Sequence, residues 1–238
     1  MLNQHSLEEI ADIHNLLGDI KKEYHEGIKP ILVKKSSKLF ENSHSVPKLK
    51  KIQINRGLGL AAQNTKSLQK NIVEFEKITG QKPIITRAKN AISGFKIREN
   101  MELGLSVTLR GQKMYTFLAK LIFFSFAQTR DFRGLSLRSF DKAGNFTFGI
   151  KDQLIFPEIE YHEVEQTQGF TITIVLENCS PHYRSQSIDK ILNGMILFKF
   201  LRFPLNDCGY YDKYPSILET SNIWENKKHL KRKRWSQE

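Results

Sequence analysis

Lys82 to Lys113, KPIITRAKNAISGFKIRENMELGLSVTLRGQK, combines a strand pattern with a concentration of cations, seven basic residues against two acidic ones. From Glu102 to Arg110, Leu103, Leu105, Val107 and Leu109 alternate with Gly104, Ser106, Thr108 and Arg110. Successive side chains of a strand point to opposite faces, so the alternation predicts one apolar face that needs a core. The other face carries hydroxyls and a guanidinium, donors that fit phosphate and ribose oxygens. A sheet with faces divided in this way is a platform for structured RNA.

The rest of the stretch supports that reading. Lys82, Arg87, Lys89, Lys96, Arg98, Arg110 and Lys113 are interleaved with Thr86, Ser93, Ser106 and Thr108. Phe95 falls in a predicted loop after the Ser93-Gly94 turn, where it either stacks on a base or anchors packing. The cations supply salt-dependent attraction, whereas Asn55, Gln81 and Thr108 give directional hydrogen bonds.

The whole chain of 238 residues has a formal net charge of +12, which favours a polyanionic partner, nucleic acid before an anionic membrane surface. Its 39% hydrophobic and 26% charged residues are ordinary for a globular domain with a real core. No apolar run approaches the ~18 residues of a membrane span, so no membrane contact is expected. Cys179 and Cys208 stand far apart without metal-ligand spacing and fit a reducing compartment. The N-terminus lacks a signal-peptide core, and Glu8, Glu9 and Asp12 argue against a transit peptide.

Outward from the opening stretch, Lys48–Asn55 reads as a strand with Ile52 and Ile54 on one face and Gln53 and Asn55 on the other. Gly57 and Gly59 turn the chain. Asn64 or Thr65 caps a helix with the stripe Leu68, Ile72, Phe75 and Ile78, and Gly80 stops it. Ile84–Ala88 is a short strand, Gln112–Ala127 a helix, and Asn145–Ile150 and Gly169–Glu177 further strands. Ser185 caps a helix to about Phe200. Residues 1–27 form an amphipathic helix that Gly27 and Pro30 interrupt, followed by a helical piece over Ile31–Phe40. The order predicts an α+β fold, a mostly antiparallel sheet with helices on one face and a polar RNA-binding face and loops on the other.

Enzymatic readings find no committed nucleophile, base or metal set. Gly57-Leu58-Gly59 lacks the third glycine and the following acidic residue of a dinucleotide fingerprint, so no cofactor is expected. Glu158, Glu160, His162, Glu163 and Glu165 form an acidic cluster that reads as a solvated face, or one meeting a basic neighbour, before it reads as a cation site. Cys179 and His182, across Pro181, read as a turn.

Pro47 and eight ordered blocks then resemble the large-subunit ribosomal protein L-five family: IQINRGLG (52–59), GQKPIITRA (80–88), GFKIR (94–98), VTLRG (107–111), RDFRG (130–134), SFD (139–141), Gly144-Asn145 and QLIFPEI (153–159). RAKNAISGFKIRE (87–99) looks most like the cyanobacterial and plastid branch. The resemblance implies a non-enzymatic 5S rRNA-binding protein of the central protuberance that also meets 23S rRNA and neighbouring central-protuberance proteins. It carries direct RNA-bonding positions onto Asn55, Gln81 and Thr108, with Lys82, Thr86, Arg87, Lys89 and Arg110 as surrounding RNA contacts. It turns Gly94, Phe95, Lys96, Ile97 and Arg98 toward P-site tRNA. It also places Arg130, Asp131, Arg133 and Arg138 toward the head protein of the small subunit at an intersubunit bridge.

The chain departs from the family pattern in three places. The helix before RDFRG reads FSFAQT without the proline often found there, and ENCS (177–180) and residues 186–201 diverge. The expected organisation is an N-terminal extension (1–23), the family-like domain (24–204) and a basic C-terminal extension (205–238), whose Lys227–Arg234 run suits rRNA or a neighbouring protein. Abundant Asn, Lys, Ile and Phe fit an AT-rich organelle genome, hence a ribosome in the chloroplast stroma, the alternative being a bacterial cytoplasm. The alternative function is an extra-ribosomal RNA-binding module or translation regulator on the same fold.

Overall fold

The computed structural model describes residues 21–30, 44, 46–59, 65–129, 132–159, 161, 164, 166–177 and 187–206. Its centre is a five-stranded antiparallel sheet, whose strands are β1 (Lys48–Gly57), β2 (Ile84–Arg87), β3 (Glu102–Leu109), β5 (Phe146–Ile150) and β6 (Phe170–Glu177). Their spatial order is β2-β3-β1-β6-β5. A two-stranded parallel pair, β4 (Leu135–Ser136) with β7 (Leu205–Asn206), closes a corner beside Gly134. The helices are α1 (Glu23–Ile28), α2 (Thr65–Thr79), α3 (Gly111–Lys120) and α4 (Ser187–Phe200).

The α+β expectation holds, and the faces divide as the alternation predicts. Ile52 and Ile54 of β1 are fully buried. They pair with Leu109 and Val107 of β3 on one side and with Ile174 and Ile172 of β6 on the other. Phe146, Phe148 and Ile150 extend the same apolar face across β5. Leu68, Phe75 and Ile78 of α2, Met114, Phe117 and Leu118 of α3, and Leu197 and Phe198 of α4 all bury into this core. These helices therefore share one face of the sheet. Phe146 lies with its ring centroid 5.2 Å from Phe198 and 5.9 Å from Phe203, so aromatic contacts join β5 to α4 and the chain beyond it.

Two expectations need correction. Leu103, placed in the core by parity, is only half-buried, because it lies at the end of the β1–β3 pairing, where its carbonyl accepts from Leu58 N at 2.9 Å. Gly27 does not interrupt the first helix, since residues 21–30 are helical throughout. A helical glycine costs about 1 kcal/mol relative to alanine. Here the buried Tyr24 offsets that cost, with its hydroxyl donating to the Pro47 carbonyl at 2.8 Å. Residues 1–20, Ile31–Phe40, Asn64, Cys179, His182, Ser185 and the Lys227–Arg234 run lie outside the described residues.

Helix ends follow local chemistry. Gly80 takes φ +66°, and its N–H donates to the Glu76 carbonyl at 2.8 Å, which closes α2 where a side chain with a Cβ would be strained. The α3 segment runs through a π turn at Leu121–Ser125 to Phe126–Gln128 and ends without a proline. Thr129 turns extended there, its hydroxyl donating to the Ser125 carbonyl at 2.9 Å. Among the described residues no helix is long and apolar enough to cross a membrane.

The core has one charged member on the sheet. Arg56 has the parity of Ile52 and Ile54, is fully buried, and donates from Nη1 to Glu74 Oε2 of α2 at 3.3 Å. Burial pulls the guanidinium pKa down, while the charge and hydrogen bond of Glu74 oppose the shift. Glu74→Ala strands a buried cation and is expected to cost about 3–5 kcal/mol, read as a lower urea midpoint. Arg56→Met combined with Glu74→Leu is expected to recover most of that loss; a double variant as unstable as Glu74→Ala contradicts the stranded charge as its cause.

Candidate nucleic-acid interface

Among the described residues, no helix lies over the side chains opposite the core. On β1 they are Lys51, Gln53, Asn55 and Gly57; on β3, Gly104, Ser106 and Thr108. Gln53 lies opposite Thr108, and Asn55 opposite Ser106. Asn55 and Thr108, which the sequence marks as RNA contacts from separate strands, therefore lie diagonally adjacent on one open face. Asn55 is exposed and Thr108 half-buried between its neighbours. Thr86 joins the face through its pairing with Gly104, while Ile84, opposite Ser106, is 71% exposed at the β2 edge. Gly104 is fixed by its surroundings: an added Cβ would stand 2.6 Å from the Arg56 carbonyl oxygen and 3.0 Å from Thr86 Oγ1.

Gln81 and Lys82 sit at the corner where α2 gives way to β2. Thr79 Oγ1 donates to the Gln81 carbonyl at 2.9 Å, and Lys113 Nζ donates to the Gly80 carbonyl at 3.1 Å. These bonds tie the loop to both helices. Because β2 runs antiparallel to β3 with Ile84 opposite Ser106, this corner leads into the sheet at its Thr108 end. Arg110, exposed and extended just beyond β3, carries the same parity as Thr108. At the other end of the face, Arg87 Nη2 donates to Glu102 Oε1 at 3.1 Å, so its charge is partly neutralised there.

Lys89 does not join the face. It lies on an arm that extends the β2–β3 hairpin, closed at its base by Ala88 N to Met101 O (2.8 Å) and Asn100 N to Ala88 O (3.0 Å). Nearer the tip, Ile92 and Ile97 exchange both backbone bonds at 2.9 and 3.1 Å, leaving Ser93, Gly94, Phe95 and Lys96 as the turn. Lys96 is left-handed, at φ +55°. Phe95 is 69% and Ile92 48% exposed, and Lys89, Lys96 and Arg98 are exposed on the same arm. An exposed apolar tip with cations along the same arm, on a backbone-paired stalk, presents an aromatic ring to solvent without drawing on the core.

The third predicted group is only partly visible. Arg130 and Asp131 lie outside the described residues. Arg133 and Arg138 are exposed around the β4–β7 corner, where Ser136 Oγ accepts from Arg138 N at 3.3 Å. Glu158, from the acidic cluster, meets a basic neighbour: its Oε1 lies 2.6 Å from Lys120 Nζ. Glu160, His162, Glu163 and Glu165 lie outside the described residues. Parity on single strands did not bring in Thr147, Thr171 and Thr173. Only the pairing of β5 and β6 with β1 carries them onto the same face.

Comparison with known proteins covers the same elements. Residues 42–98 match a family model described as ribosomal protein L5, and residues 102–203 match a second model, which describes the C-terminus of that ribosomal family. The large ribosomal subunit protein uL5c of Phaeodactylum tricornutum (strain CCAP 1055/1) is 77% identical over 238 residues, covering 100% of both chains. The uL5c protein of Trieres chinensis is 71% identical over the same full span of both chains. The large ribosomal subunit protein uL5 of Synechococcus sp. (strain RCC307) is 53% identical over 156 residues, which are 66% of this chain and 86% of that protein.

The arm and the sheet are expected to separate under mutation. Phe95→Ala removes an exposed ring and should shift stability by no more than about 0.5 kcal/mol. Gly104→Ala forces a Cβ against backbone and should cost about 1–3 kcal/mol. Urea denaturation of both variants checks this; a large loss for Phe95→Ala means that the ring packs on the domain.

Proposed function

The chain belongs to the ribosomal protein L5 family, and from that premise we propose that its open sheet face binds 5S rRNA while its arm approaches P-site tRNA. It is a structural constituent of the large subunit of the plastid ribosome, in a family whose role is structural rather than enzymatic, and it assembles with rRNA and other ribosomal proteins. The finer reading rests chiefly on one observation: Asn55 and Thr108 come from adjacent strands and lie diagonally adjacent on a face that no helix among the described residues covers.

The chemistry of the two regions matches two kinds of contact. Amide and hydroxyl groups of Asn55, Gln81, Thr86 and Thr108 form directional bonds to sugar and base edges of 5S rRNA. Lys82 and Arg110 bring phosphate attraction to the same corner, and Arg87 contributes at the far end. Lys89 belongs with the arm, where Gly94, Phe95, Lys96, Ile97 and Arg98 are available to the tRNA backbone. Arg133 and Arg138, with Arg130 and Asp131, face the small-subunit head protein in this reading. Contacts to 23S rRNA and to other central-protuberance proteins complete the set. Residues 24–204 form the shared domain, and 1–23 and 205–238 are extensions peculiar to this branch.

Gel-shift titration with a 5S rRNA transcript tests the face. Thr108→Val keeps the strand's shape and should weaken binding by ~1 kcal/mol, about one hydrogen bond. Lys82→Ala should instead lower the slope of log affinity against log salt by about one. Two variants that bind like wild type at every salt concentration remove the assignment. Sedimentation gives the complementary result: the protein should travel with the large subunit, and a free pool alone would favour an extra-ribosomal RNA-binding role.

A further inference from the structure

The helix α4, on the far side of the sheet from the open face, is apolar on more sides than the sheet can cover. Eight of its fourteen residues, SIDKILNGMILFKF, are large and apolar. One side is fixed against the core. Leu197 and Phe198 are fully buried, and a Cβ at Gly194 would stand 3.0 Å from Phe140 Cε1 and 3.2 Å from the Gly144 carbonyl oxygen. Successive helical residues are about 100° apart, so Ile196 lies about 160° around the helix from Phe198. Ile196 and Phe200, four residues on, are only partly buried. In sequence the same spacing continues back through Leu192 to Ile188. A surface helix carries polar residues opposite its buried face; an apolar row there marks a helix covered from both sides.

The chain leaves the domain at the flank of this row. Met195, between the core side of α4 and Ile196, packs with Leu137, Ile191 and Leu205 in a small cluster of its own. Leu205 and Asn206 are held there by pairing with Leu135 and Ser136, so close to the corner that a Cβ at Gly134 would stand 3.0 Å from Asn206 N. On the opposite flank of the helix, Asn193 is 7% exposed, and its Oδ1 finds no hydrogen-bond partner among the described residues. A buried acceptor without a donor is destabilising, so this one calls for a donor arriving over α4.

We propose that the outer face of α4 is the docking site of the chain's own C-terminal extension, residues 207–224. The extension starts at Asn206, beside Met195. Crossing a helix about 10–12 Å wide takes about four extended residues, well within the chain that follows. Its sequence, DCGYYDKYPSILETSNIW, offers Tyr210, Tyr211, Tyr214, Ile217, Leu218 and Trp224 as apolar surface. Tyrosine also brings a hydroxyl that can donate to Asn193 Oδ1. The family model stops at residue 203, so this segment lies outside the shared domain, yet the uL5c protein of Phaeodactylum tricornutum matches the chain to its last residue. A segment tethered at the flank of the helix has an effective concentration on the order of millimolar, which favours it over a second copy of the chain. Docking roots the extension, so the basic run Lys227–Arg234 is presented from the helical side of the sheet and away from the open face.

The test uses the full-length protein in two ways. With the photo-crosslinking residue p-benzoylphenylalanine in place of Ile196, irradiation should join position 196 to a peptide within 207–224 of the same chain, at a yield unchanged by about tenfold dilution. In hydrogen exchange read by mass spectrometry, Tyr210→Ser, Tyr211→Ser and Tyr214→Ser combined should speed exchange of the amides of residues 192–200 about tenfold and leave β1 and β3 as they are. Replacing Lys231, Arg232, Lys233 and Arg234 by glutamine should change neither readout, because the contact is apolar. A crosslink to a second chain, with a yield that falls on dilution, overturns the proposal in favour of an interface between copies. Crosslinking that misses 207–224 overturns it, and so does exchange in α4 that ignores the tyrosine substitutions. The exchange measurement leaves α4 itself unaltered, so it decides the matter should the label at position 196 disturb folding. Neither readout depends on RNA binding.

Discussion

The parity of β1 governs both sides of this molecule. Ile52, Ile54 and Arg56 go into the core, and Gln53, Asn55 and Gly57 go to the open face. Because β1 is paired on both sides, with β3 and with β6, its register sets theirs. A slip of one residue would bring Gln53 and Asn55 under the helices and push two isoleucines into water, at about 1.5–3 kcal/mol for each buried side chain lost. The irregularity between Leu49 and Lys51 shifts the pairing with β6 near the start of the strand, so that Leu49 is buried while Lys50 remains exposed. Core packing and ligand-facing chemistry are thus two readings of one alternation.

Arg56 is where that alternation meets its hardest constraint. A guanidinium in an apolar layer is costly to desolvate, and a single hydrogen bond of 3.3 Å to Glu74 returns only part of that cost. What the pair supplies is direction. Glu74 shares the inward face of α2 with Asn71, Phe75 and Ile78, so the ion pair fixes how the helix is rotated against β1, where Leu or Ile at these positions would permit sliding. The rotation carries outward to the end of α2. There Thr79 and Gly80 shape the turn that sets Gln81 and Lys82 at the corner of the open face.

The sheet, its helices and the sorting of its faces were legible because strands and helices impose different periods on the same hydrophobic requirement. The alternation from Glu102 to Arg110 and the stripe Leu68, Ile72, Phe75, Ile78 were sufficient to place β3 and α2. Asn55 and Thr108 could be put on polar faces from parity alone; that those faces are one face depends on the pairing of β1 with β3, which local pattern does not contain. For the same reason Thr147, Thr171 and Thr173 went unmarked, since each looks like ordinary strand threonine until β5 and β6 are set beside β1. Arg56 lies just past the Lys48–Asn55 strand read from the alternation, and its burial follows from β1 continuing to Gly57. Lys89 was grouped with the sheet by its neighbours in sequence, although the backbone pairing after Ala88 carries it away on the arm.

That separation divides the labour between two surfaces of opposite character. The open face is built from short side chains with little rotamer freedom to lose, so hydrogen bonds made there cost little ordering entropy. The arm has Phe95 and Ile92 exposed among Lys89, Lys96 and Arg98, and a flexible lysine or arginine follows a phosphate backbone without specifying it. Contacts of the first kind suit a long-lived partner, because specificity there comes from pairing that is lost if a single hydroxyl is missing. Contacts of the second kind are weakened by screening and re-formed on each encounter, as a passing RNA requires. The backbone pairs at Ala88, Met101, Ile92 and Ile97 join both surfaces in one hairpin: they stiffen the stalk, so the tip is held out from the open face of the sheet.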